Sequence, residues 1–147
     1  MAISSAVCNS FKQEILVGTH NFTVLASGGN AFKLALYTSS ASMGAGTTAY
    51  STSNEISNTS GSAYTAGGKV IVSVTPALDG STAVCDFADI SFTSASFTAN
   101  GCLIYNDTQA DKAVCVVAFG SDKTVSSGTF TIQFPAADAS NAIVRIA

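Results

Sequence analysis

Apolar residues recur at every fourth position at the start of the chain: Ile3, Val7, Phe11 and Ile15, with Leu16 beside the last. That spacing draws one stripe down a helix and predicts a short N-terminal helix within residues 1–18. Ser4 or Ser5 can cap its start, and Gly18 can follow its end. Lys12, Gln13 and Glu14 fall on the other, solvent-facing side. A single amphipathic helix must dock on a sheet or on a neighbouring subunit.

Beyond Gly18 the period falls to two. Phe32, Leu34 and Leu36 alternate with Lys33, Ala35 and Tyr37, which predicts a half-buried strand. Residues 69–75 are rich in β-branched side chains and read as a strand that Pro76 ends. Further strands are expected at 82–87, 90–97, 101–105, 112–119, 129–134 and 142–146. A hairpin turn is expected around Asn106–Asp111, and polar turns at Gly120–Gly128 and Asp138–Asn141. Short strands spaced by turns predict a single all-β domain over residues 1–147. Its form would be an antiparallel β-sandwich or a Greek-key/jelly-roll-like barrel.

One long stretch breaks this rhythm. Residues 39–68 are mostly Ser, Thr, Gly, Ala and Asn, and they predict an extended loop or arm. Ordering each backbone residue costs about 1–2 kcal/mol, while small polar side chains bury little area. The stretch is therefore expected either to be mobile or to lie against neighbouring subunits. Tyr50, Ile56 and Tyr64 are its candidate intersubunit contacts, since tyrosine joins an apolar body to a hydroxyl. The competing expectation is that these tyrosines pack on their own sheet.

Composition narrows the function. Charged residues make up only 10% and hydrophobic residues 47%, with a formal net charge of −3. The six basic residues are scattered, which argues against a nucleic-acid partner, because phosphate binding needs a basic stripe. No apolar run approaches the roughly 20 residues of a bilayer-spanning helix, so no membrane partner is expected. The first residues lack a basic segment followed by an apolar core, and folding in the cytoplasm is expected. Matches to N-x-S/T at Asn21, Asn58 and Asn106 then carry no weight.

Candidate chemistry is sparse. His20 is the one histidine, in a segment that reads as exposed loop, and it reads as a surface or capping residue. Asp86 with Asp89, and Asp107 with Asp111, supply too few oxygens for a calcium loop. No nucleophile elbow or phosphate loop occurs, and no cofactor, metal or catalytic residue is expected. Cys8, Cys85, Cys102 and Cys115 read as buried free thiols. A symmetric hairpin would nevertheless set Cys102 opposite Cys115 as a cross-strand pair. Arg145, the single arginine, reads as an outward charge guarding a sheet edge or as part of a subunit contact.

Several stretches resemble a known group. SSAVCNSFKQEIL, AFKLALYTSSASMGAGTTAYSTSNEIS, AYTAGGK and KAVCVVAFGSDKTVSSGTFTIQFPAADASNAIVRIA together cover nearly the whole chain. They resemble a family of small, mostly uncharacterised proteins encoded by tailed bacteriophages. The resemblance implies a non-enzymatic virion structural protein, folded in the cytoplasm of the infected bacterial host. It would be a capsid decoration or cement protein, or alternatively a neck, tail or fibre-base component. Its partners would be major capsid, neck or tail proteins and copies of itself. A receptor- or glycan-binding β-sandwich is a further alternative, using Tyr50, Asn54, Asn58 and Tyr64.

Overall fold

A computed structural model describes residues 2–57 and 61–147. The domain is built on two antiparallel sheets and one short helix, as the β-sandwich expectation requires, and the sheets do not close into a barrel. The larger sheet runs β1–β7–β6–β2–β3. Its strands are β1 (Ala6–Val7), β2 (Phe32–Tyr37), β3 (Lys69–Ile71), β6 (Ile90–Asn106) and β7 (Lys112–Ile132). The smaller sheet runs β4 (Ser73–Asp79), β5 (Thr82–Phe87) and β8 (Val144–Ile146).

The N-terminal periodicity resolves into a strand and a helix. Ala6 and Val7 pair with Val116 and Cys115 on the edge of β7, and helix α1 spans only Asn9–Leu16. The edge of β7 offers backbone partners that a helix over residues 3–8 would leave unused. Ser4 and Ser5 therefore do not cap the helix. Ser4 N–H donates to the Met43 carbonyl, and Ser5 Oγ accepts from Ala118 N–H. Cys8 is the N-cap and makes no side-chain cap bond. Phe11 is buried, Leu16 is exposed, and Gly18 closes the helix at φ 74°.

β6 and β7 depart most from the expected pattern. The segments 90–97 and 101–105 form one strand of 17 residues, and β7 runs for 21 residues straight through the expected turn at Gly120–Gly128. Asn100 alone lies opposite the four β7 residues between Ala118 and Lys123, since Ala99 pairs with Lys123 and Gly101 with Ala118. A bulge can absorb glycines and polar residues that would otherwise signal a turn. Hydroxyls lock the two strands, with Ser91 to Thr131 and Thr98 to Thr124 both at 2.8 Å.

The chain crosses between sheets at Val72. β3 pairs with β2 in one sheet and β4 with β5 in the other, and Val72 is the only residue between them. Pro76 does not end the strand. It sits where the β4–β5 register shifts, on an edge strand, where a missing N–H is tolerated. Phe87 of β5 meets Phe22, Phe32 and Phe134, which joins the smaller sheet to the core. Val70, Val72, Val74 and Leu78 remain exposed along this crossing strand.

The cysteine pair is corrected. Cys102 lies opposite Val117, and Cys115 lies opposite Ile104. The turn sets Asn106 opposite Lys112 and the register slips by one more residue between Ile104 and Tyr105, so the two thiols are diagonal rather than facing neighbours. All four cysteines are free, and burial pushes the thiols of Cys8 and Cys85 up to about 11 and that of Cys102 up to about 12.

Candidate functional site

The long stretch after β2 is the most distinctive part of the molecule, and one carboxylate organises it. Glu55 forms an antiparallel bridge with Tyr37, which brings its side chain back under the segment. Tyr64 Oη donates to Oε1 at 2.5 Å and Tyr50 Oη donates to Oε2 at 2.7 Å. Gly67 N–H also donates to Oε1, at 2.7 Å. Three donors on one carboxylate satisfy a charge that burial would otherwise penalise.

The tyrosines extend this network to the sheet. Tyr64 Oη accepts from Leu36 N–H at 2.9 Å, Tyr105 Oη donates to the Gly67 carbonyl at 2.7 Å, and Tyr37 Oη donates to the Ser51 carbonyl at 2.7 Å. Tyr50 stacks on Tyr105 with centroids 4.7 Å apart. Burial first, then the hydrogen bond to Glu55, pushes the Tyr50 and Tyr64 phenols up, so both stay protonated donors. Backbone bonds complete the attachment: Ile56 N–H to the Leu36 carbonyl, Tyr50 N–H to Asp111, and Ala113 N–H to Thr48.

Gly68 makes this docking possible. Its φ is 75°, and a Cβ there would stand 1.9 Å from the Leu34 carbonyl oxygen. Only glycine lets the returning chain approach β2 so closely.

The segment is thus held on its own domain. Ile56 and Tyr64 are buried within their own chain, so neither offers its side chain to a neighbour, and Tyr50 is half-buried. The two tyrosines pack on their own sheet, where the Glu55 network supplies partners for their hydroxyls. Arg145 is exposed on edge strand β8 and donates to the carbonyls of Ala139 and Ser140. Asn54 is exposed on the rim of a depression of about 570 Å³, with Tyr37, Ser42, Thr48 and Ser53 also lining it. Of the residues named for a glycan-binding cluster, Tyr64 is buried, Tyr50 is half-buried and Asn58 lies outside the described residues.

A second polar cluster was not legible in the sequence. His20 is buried, not in an exposed loop, with its ring among Phe11, Phe22 and Phe32. Its Nε2 lies 2.8 Å from Glu14 Oε2, and Lys112 Nζ lies 2.8 Å from Glu14 Oε1. Asn106 Nδ2 lies 3.0 Å from His20 Nδ1. Burial pushes the Glu14 carboxyl up, but the hydrogen bonds from Lys112 and His20 outweigh it and hold the group below the usual range. Glu14, expected to face solvent, is buried because these partners lie on the sheet side of the helix.

Three of the other acids have partners within the domain. Asp86 Oδ1 accepts from Phe87 N–H, Asp89 Oδ1 accepts from Phe134 N–H, and Asp107 pairs with Lys33 at 2.8 Å. Among the described residues no three His, Cys, Asp or Glu side chains are grouped to hold a metal ion. Comparison of the chain with family models, curated proteins and solved structures returns no match.

Proposed function

We propose that this protein is a non-enzymatic structural component of a tailed-phage virion, acting as a capsid decoration or cement protein through contacts between subunits. The observation that carries this reading is the surface of residues 39–57 and 61–68. Their one charged residue, Glu55, is buried, so these residues turn neutral hydroxyls, amides and small side chains outward. Such a surface can be covered by another protein without stripping water from charges, the costly step in association. Interface centres are correspondingly depleted of charged residues. The exposed Val70, Val72, Val74 and Leu78 add apolar area to the same surface economy. The resemblance to tailed-phage proteins names the assembly in which such contacts would be made.

Copy number in purified particles tests the reading. Hundreds of copies per particle are expected for a decoration protein. A dozen or fewer would move the protein to the neck, tail or a vertex, and absence from particles would overturn the virion role.

A further inference from the structure

The outer edge of β7 is covered only at its start, where β1 pairs with Cys115 and Val116. Among the described residues, 119–133 make no backbone bond besides those of the β6–β7 ladder. Three observations show which backbone groups of the last stretch face outward. Ser91 lies opposite Thr131, yet its carbonyl accepts from Lys69 Nζ, on the side of β6 away from β7. Ser91 Oγ and Thr131 Oγ1 are 2.8 Å apart, the closeness of a pair that exchanges no backbone bonds. Phe134 N–H turns the other way, toward Asp89 at the start of β6. Phe130 and Ile132 therefore bond to β6, while Thr129, Thr131 and Gln133 point N–H and C=O into solvent. This free run has a centre. Ser127, at φ 47°, breaks it on one side, and Pro135, with no N–H, ends it on the other. Both stand four residues from Thr131.

We propose that this edge is a strand-addition site for the same edge of a second copy, in two-fold antiparallel register about Thr131. Thr131 then faces its own mate and Thr129 faces Gln133 of the second copy, each pair exchanging both backbone bonds. On the packed face, half-buried Phe130 meets half-buried Ile132 of the second copy. On the outer face hydroxyl meets hydroxyl, so the rows match polar to polar and apolar to apolar. Moving the centre to Thr129 or Gln133 brings Ser127 or Pro135 into the ladder, and a one-residue slip points the backbone groups the wrong way. No residue from Thr124 to Ala137 is charged, so the like-charge repulsion that guards many edges is absent from this two-fold contact. The edge of β4 differs, because Pro76 lies within it. So short a run covers less than the roughly 800 Å² per partner of a stable interface, so pairing belongs to high protein concentration. It needs no virion, and it stands or falls apart from that role.

Cysteine crosslinking reads the register directly. Thr131→Cys sets one thiol at the axis, where a mate in this register brings a second. With a short bis-maleimide at about 1 mM protein it is expected to give covalent dimer, with the wild-type chain as background. Thr129→Cys alone should give about tenfold less, and mixing it with Gln133→Cys should restore the dimer. Equal yields at positions 129 and 131, or none at either, would overturn the pairing. The wild-type chain supplies a readout that needs no variant to fold. Its Thr131 N–H should exchange fast in dilute protein and slow by about tenfold once about nine-tenths of chains are paired, with Phe130 and Ile132 protected throughout. A chain that sediments as a monomer at about 1 mM with Thr131 unprotected overturns the second copy as occupant. Protection of Thr131 that is independent of concentration overturns the free edge itself.

Discussion

At the scale of single residues, Glu55 carries more of the structure than its place in a Ser/Thr-rich stretch suggests. Replacing it by glutamine keeps the size but removes the charge that three donors share. Glu55→Gln is expected to lower stability by about 1–3 kcal/mol, read by chemical denaturation. Tyr64→Phe removes the hydroxyl bridging Leu36 N–H and Glu55, and a similar loss is expected. The thiols give a second residue-scale test. Cys102 and Cys115 are buried and their thiols are pushed up by burial, so a thiol reagent should label them slowly in the native protein. All four cysteines should react once the unreduced chain is unfolded. Glu14 adds a pH dependence with a definite sign. Its carboxyl is held below the usual range when folded, so its stabilisation is present above the unfolded value of about 4.3 and disappears as pH falls through the lower folded value.

Among the elements, glycines separate crowding from conformation. Gly68→Ala places a methyl against the Leu34 carbonyl in a left-handed backbone and should cost at least about 2 kcal/mol. Gly18→Ala meets open space at a similar φ and should cost only about 1 kcal/mol. Thermal denaturation of both variants makes the comparison. The strand at 32–37 was legible because a period-two apolar run is a local signal. The joining of 112–119 to 129–134 was not, because a long bulge and a turn use the same glycines and small polar residues. The two sheets were legible as a class, whereas the crossing at Val72 depends on which distant strand each half pairs with. Asn106 and Lys112 lie far in sequence from Glu14 and His20, so no local spacing could reveal their cluster. Tyr50 and Tyr64 stood out by composition, but Glu55 looked like an isolated surface charge.

On the scale of the whole molecule, the neutral segment is docked before any partner arrives. Limited proteolysis of the free protein should therefore leave residues 39–57 intact under conditions that cut the unfolded chain. Rapid cleavage there would favour the alternative, in which a neighbour supplies the order. The same architecture also prescribes a sequence of events in time. β6 and β7 are joined by a tight turn at 107–111 and can zip from it, whereas β2 and β3 meet only after the long segment closes on itself. Ala110 and Asp111 hold positive φ in that turn, at 52° and 58°. Ala110→Gly should thus stabilise by about 1 kcal/mol and do so mainly by accelerating folding, if the hairpin is the nucleus. Tyr64→Phe should instead act mainly on the unfolding rate, and chevron plots of both variants decide the order. The Glu55 network would then be the last part to form and the first to open, which makes it the clock that sets how long the folded chain persists.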